Sequence, residues 1–227
     1  MFKLTKMQYY KEIYNDENLI VVSKSQGIPV EPDSKDDVCL IDLIRKDYGD
    51  SCELCHRLDR NTGGLVLIAK NDTVLSILTD AIKDKKIRKT YRFYVDGLLQ
   101  SKSPKGKMQR VDAFHFKDAK QSRVYIYDTN RKFCKPISTL FKTVEYDSQR
   151  NITLIEAELI TGRTHQIRAQ FAHLGHSVIG DGKYGSNKTN RKFKYKYQTL
   201  WSYKIDLCGI LNEYNIPDVF ISKPEFI

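Results

Sequence analysis

Residues 51–70 read SCELCHRLDRNTGGLVLIAK, and two signals overlap in them. Cys52-Glu53-Leu54-Cys55-His56 has the spacing of a c-type haem attachment site or of half a zinc site. His56-Arg57-Leu58-Asp59-Arg60 sets one carboxylate between two guanidinium groups, just before Gly63-Gly64. The run LVLIAK (65–70) that follows is short, apolar and bounded by a turn, which predicts a buried strand. The haem reading needs an exported protein, yet MFKLTKMQYYKEIYNDE at the N-terminus is charged throughout and has no apolar core. The zinc reading is poor too. Adjacent Cys and His seldom reach one tetrahedral ion, and no second CxxC completes the set. Of the remaining cysteines, Cys134 and Cys208 stand far from this pair. His165, His173 and His176 form another candidate set, but no carboxylate or cysteine joins them at helical spacing. They are expected to be hydrogen-bonded structural histidines, and no metal is expected.

The 227 residues fit a single domain, with a core between about 13 and 207. With 41% hydrophobic and 29% charged residues, a packed core is feasible and wholesale disorder is excluded. No apolar run approaches the roughly 18 residues of a membrane span, so no membrane partner is expected and the cytoplasm is the expected location. Disulfides are not expected there. Lys plus Arg number 38 against 28 for Asp plus Glu, a net +10, which points to a polyanionic partner, nucleic acid first.

Period and punctuation predict the elements. Residues 19–23 (LIVVS) read as a buried strand, and Gly27-Ile28-Pro29-Val30 as a turn into a second extended piece. Helices are expected at 38–48 and 73–83, where Val74, Leu75, Leu78 and Ile82 share a face. Strands are expected at 89–97, 122–129, 138–147 and 151–159, the last two joined as a hairpin. Residues 98–121 read as a Lys-rich loop with one short strand at VDAFHF. A helix is predicted at 165–174, closed by Gly175 and burying Ile167, Phe171 and Leu174. HSVIG (176–180) reads as a strand. Many strands and few helices give an α+β fold with a mixed, mainly antiparallel sheet and flanking helices and loops.

Several side chains admit two readings. Asp59 is either an Asx-turn cap between surface arginines or a carboxylate kept ionised by a guanidinium and aimed into a groove. Arg163 and Arg168 lie near a predicted helix N-terminus, where backbone N–H groups favour anions. Tyr91 emerges from the basic cluster KKIRK, either as a core strand residue or as a platform for a base. In KFKYKY (192–197), lysines and aromatics alternate at period two. That suits phosphate contacts or an edge strand protected by lysines.

Four stretches, in order from about residue 13 to 205, resemble the RluA-type pseudouridine synthases. They are IYNDENLIVVSKSQGIPVEPD, HRLDRNTGGLVLIAKN, KTY and GRTHQIRAQFAHLGHSVIGDGKYG. Departures are Lys24-Ser25 where Lys-Pro is common, Gly63 where Ser is common, and Asn61 where an acidic residue is usual. The resemblance makes the CxxCH spacing incidental and Asp59 the chemistry. It implies the pseudouridine synthase catalytic fold, without the S4-like RNA-binding domain of some relatives. It implies uridine-to-pseudouridine isomerisation in structured RNA with no cofactor and no metal. Asp59 is then the essential carboxylate, acting as nucleophile or base. Arg168 matches its partner, and Tyr91 the tyrosine packed on the target base. Arg57 fills the gap left by the flipped nucleotide, with further RNA contacts expected at Arg60, Lys89, Arg163, His165 and Lys183. Large-subunit ribosomal RNA is the expected target and a monomer the expected state. Transfer RNA and a non-catalytic RNA-binding role on the same fold are the alternatives.

Overall fold

In a computed structural model, which describes residues 9–33, 37–104 and 107–227, the chain divides into two compact units. The first comprises residues 1–89 and 201–227, the second 90–200.

The first unit begins with the hairpin β1 (Tyr10–Asn15) and β2 (Leu19–Lys24). Its turn is held by Asp16, whose Oδ1 accepts from the N–H groups of Asn18 and Leu19 at 2.8 and 2.7 Å. Helix α1 (Leu40–Tyr48) follows, then the short β3 (Glu53–Leu54) and β4 (Gly63–Ala69). Every residue of β4 is buried, as its unbroken apolar run predicts. It pairs antiparallel with β2 and β3. Helix α2 (Asp72–Lys83) is capped by Asn71, whose side chain accepts from Val74 N. Strand β10 (Leu200–Asp206) lies parallel to β4, and β11 (Val219–Ile221) antiparallel to β10. A Cβ on Gly63 would sit 2.1 Å from the buried Trp201 ring, so glycine is required for these strands to close up.

The second unit is an antiparallel array in the order β5, β9, β8, β6, β7. The strands are Arg88–Asp96, Ile152–Leu159, Lys135–Asp147, Gln109–Asp118 and Arg123–Tyr127 respectively. Helix α3 (Gln166–His173) packs Phe171 edge-on to Phe93 and Phe141, at ring distances of 4.8 and 5.5 Å. It ends in a Schellman motif: Gly175 at φ 84 donates to Ala172 O, and His176 donates to Phe171 O.

The α+β class and the mainly antiparallel sheet agree with the sequence reading, and β4 and β10 pair parallel. Individual elements differ from it. The short strand expected at VDAFHF within 98–121 is present but longer, as β6, because Gln109 and Arg110 continue the ladder with β8 and Lys117 and Asp118 that with β7. HSVIG makes one isolated bridge, Val178 to Val95, rather than a strand. Ile28–Val30 forms no strand; instead Pro29 O and Val30 O accept from the first N–H groups of α1. Leu174 is 37% exposed, at the cap of α3 rather than in the core. The alternating 192–197 stretch is not extended. Ser186 caps a helix, α4 (Asn187–Phe193), and Lys194 ends it at φ 55. No helix among the described residues is long and apolar enough to cross a membrane.

Candidate active site

In the first unit, the half-buried Asp59 sits in the turn before β4, closed by Thr62 N donating to Asp59 O at 3.0 Å. This turn is fastened to the 25–28 turn by a lysine. Lys24 is fully buried at the end of β2, and its ammonium donates to Ser25 O, Ile28 O and Arg60 O at 2.9, 2.8 and 3.0 Å. Three N–H donors meet three carbonyls. Gln26 Nε2 donates to Asn61 O at 2.8 Å and Gly27 N to Arg60 O at 3.0 Å, so both turns move as one piece. Asn61 and Ser25, two of the departures from the family pattern, enter this fastening through their backbone carbonyls. That role is indifferent to side-chain identity.

Burial lowers the Lys24 pKa to about 7, with the Asp59 charge opposing the shift and Arg60 adding to it. The folded value is below the ordinary 10.5, so between about pH 7 and 10.5 the unfolded chain holds a proton that the folded chain has released. The Lys24 contribution to stability therefore rises with pH across that window. Replacing Lys24 by Met removes this contribution. Urea midpoints at pH 7 and pH 9.5 are expected to show wild type gaining stability relative to Lys24→Met as the pH rises. An unchanged difference would mean that Lys24 stays charged throughout.

The flanking arginines have internal partners. Arg57 is exposed and pairs with Glu31 at 2.7 Å. Arg60 donates to Asp33 at 3.0 and 2.7 Å and to Asp37 at 2.6 Å. Lys89 is half-buried, and burial lowers its pKa to about 8. His56 accepts from Leu67 N through Nε2 at 3.2 Å, and burial, with Lys89 nearby, pushes it down to about 3, so it is a neutral bracket between the turn and β4. Cys55 lies in the core with Leu65, Leu67 and Leu78, and burial pushes its thiol up to about 12. Cys52 is buried as well, and so is Cys39, the fifth cysteine, at the N-terminus of α1. The CxxC spacing is core packing. Among the described residues, no three His, Cys, Asp or Glu side chains are grouped to hold a metal ion.

In the second unit, Tyr91 is buried on β5 opposite Ala157 of β9. Arg168 is buried on α3 and makes a two-point pair with the fully buried Asp181: Nε to Oδ2 at 2.7 Å, Nη2 to Oδ1 at 3.0 Å. Asp181 Oδ1 also accepts from the N–H groups of Lys183 and Tyr184. Burial alone would raise the Asp181 pKa, but Arg168 and these two donors outweigh it and hold the carboxyl below the ordinary aspartate value. The pair fixes the plane of the guanidinium, which also lies 5.4 Å from the Tyr184 ring centroid. His165 caps α3 in the left-handed region at φ 53, and its Nδ1 meets the Tyr184 hydroxyl at 2.9 Å. Lys183 donates to Ser122 O, and Arg163 is exposed. Helix α3 is tied down through Gln166 and Gln170, which bond Ser138, Thr139 and Val111 of β8 and β6. The remaining histidines are hydrogen-bonded too, His115 to Thr164 O, His173 to Asp128 and His176 to Asp96 O.

A family model described as RNA pseudouridylate synthase matches residues 18–173. The chain belongs to the RNA pseudouridylate synthase family. Among curated relatives, an uncharacterized RNA pseudouridine synthase of Mycoplasma genitalium is 35% identical, over 86% of this chain and 62% of its own length. The tRNA pseudouridine(31) synthase of Saccharomyces cerevisiae is 29% identical, over 86% and 52%. Ribosomal large subunit pseudouridine synthase C of Haemophilus ducreyi is 32% identical, over 85% and 59%. The chain thus spans between about half and two thirds of the length of these relatives. In structure, human RNA pseudouridylate synthase domain containing 1 superposes with a TM-score of 0.76 at 19% identity, covering 100% of this chain and 88% of that one. Within this pseudouridylate synthase fold, sequence reasoning named Arg168 but missed Asp181, which orients it. The signal was present: a lone carboxylate between two glycines in GDGKYG, where a turn brings side chain and backbone N–H groups together.

Proposed function

We propose that this chain converts uridine to pseudouridine in structured RNA, with Asp59 as the essential carboxylate, Tyr91 packing on the target base and Arg168 as the partner of Asp59. The two compact units serve as one catalytic domain. The observation that carries this reading is the family match over 18–173, which contains all three residues. It is supported by a turn at Asp59 fastened through Lys24 and by an Arg168 held in one orientation by Asp181. The reaction breaks the N1–C1′ bond, turns the uracil and joins C5 to C1′, releasing the C5 proton. Large-subunit ribosomal RNA is the favoured substrate, since relatives of 32–34% identity carry that name in three bacteria. The yeast relative's name supports a second reading, transfer RNA.

The test uses RNA tritiated at uridine C5, split into ribosomal and transfer fractions. Release of tritium by wild type, and none by Asp59→Ala, is the expected result, and the fraction that releases it names the substrate. Intact RNA binding with no release from either fraction would favour a binding protein on this fold.

Arg57 offers a finer check. It is 69% exposed in its side chain and paired only at the surface, so it is free to fill the gap behind a flipped base. Flipping from a stem costs a few kcal/mol of unstacking, whereas an unpaired uridine needs little. Arg57→Ala is expected to lower turnover of stem-embedded uridines at least about tenfold more than that of unpaired ones. Equal losses on both substrates would contradict the role.

A further inference from the structure

The loop joining β7 to β8, residues 128–134, carries an unusual residue at its tip. Phe133 is 76% exposed, the most exposed large hydrophobic side chain among those described. Its backbone lies in the left-handed region at φ 66, where a bulky residue is disfavoured and glycine or asparagine is the ordinary choice. The turn is closed by Cys134 N donating to Arg131 O at 3.0 Å. A phenylalanine held out into solvent at a strained position is a hypothesis of function.

The surroundings indicate the partner's chemistry. Arg131, Lys132 and Lys135 are all exposed, and among the described residues no carboxylate pairs with any of them. Asp128 is the one carboxylate of this loop, and it is taken by His173 at 2.8 Å. This contrasts with Arg57, Arg60 and Arg168, which have internal carboxylates. The Arg131 guanidinium lies over the Tyr127 ring at 4.0 Å, and the Lys132 ammonium 5.1 Å from the Phe133 ring. The loop is also anchored to the helix that carries Arg168. Its Asp128 is bonded to His173, the last residue of α3.

We propose that the β7–β8 loop is a contact for single-stranded RNA, in which Phe133 stacks on an unpaired base and Arg131, Lys132 and Lys135 hold the phosphates beside it. An exposed ring among unpaired cations fits a nucleotide, which offers a π-face and an anion together. The proposal rests on the reading of RNA as the partner, but not on isomerisation.

Trp201, the chain's one tryptophan, is buried, so Phe133→Trp places a reporter at the loop tip over a constant background. Titration with an unstructured oligouridylate of about ten nucleotides is expected to quench that fluorescence, and a duplex RNA of the same length is not. Phe133→Ala and Phe133→Leu are each expected to weaken binding of the single strand at least about fivefold. Phe133→Gly is expected to weaken it as much while melting no lower than wild type. That outcome separates loss of contact from loss of fold. Wild-type affinity in Phe133→Leu would mark an apolar protein-docking tip instead and overturn the proposal. So would equal quenching by duplex, or no quenching by either RNA. Quenching without tritium release from any RNA would leave this contact standing while the catalytic reading fell.

Discussion

Asp59→Asn is expected to bind RNA as wild type does and to release tritium from C5-labelled uridine on the order of a thousandfold more slowly, or not at all. The amide has the shape of the carboxylate but neither its charge nor its nucleophilicity. The turn itself should survive. Thr62 N bonds the Asp59 backbone carbonyl, and the three acceptors of Lys24 are backbone carbonyls too. Unfolding is therefore a poor explanation for the loss, and a melting curve within a few degrees of wild type checks this. One side effect is expected. Without the Asp59 charge, Lys24 loses the group that opposes its downward shift, so its deprotonation moves to still lower pH. Full turnover by Asp59→Asn would end the assignment.

The largest effect on stability is expected at Asp181. Removing one partner of a buried ion pair leaves the other charge uncompensated, at a cost of about 3–5 kcal/mol. Asp181→Ala takes this buried two-point carboxylate from Arg168 and also strips acceptors from Lys183 N and Tyr184 N. For a chain of this length the loss corresponds to a fall in Tm of roughly 10 °C. Asp181→Asn should fall less, since an amide oxygen still accepts from the backbone. A double variant, Asp181→Leu with Arg168→Met, should recover part of the stability, because a buried pair is often replaced by apolar groups at little cost. Acid gives a further check. The folded pKa of Asp181 lies below the ordinary 3.8, so its contribution is complete above that value and is lost as pH falls through the lower folded one. A loss below about 1 kcal/mol in Asp181→Ala would show that Arg168 finds another partner and is not oriented by Asp181.

What could be read from the chain beforehand followed how local each signal is. The buried run of β4, the 3.6-residue period of α2 and Gly175 after α3 are each written within a few residues, and all appear in the fold. The period-two pattern at 192–197 was equally local yet misleading, because the Ser186-capped helix α4 takes in Lys192 and Phe193 and ends at Lys194 in the left-handed region. HSVIG failed for the opposite reason: its strand-like composition meets only one bridging partner, Val95.

The sequence by itself determined the α+β class, the motif order and the residue types at Asp59, Tyr91 and Arg168, because periodicity and motif spacing are one-dimensional. Only the tertiary structure decided what holds those residues in place. Lys24 lies 36 positions from the carbonyl of Arg60, Asp181 lies 13 from Arg168, and Cys55 belongs to a core assembled from both ends of the chain. Hydrogen bonds and burial are satisfied in space, where no spacing rule along the chain can reach.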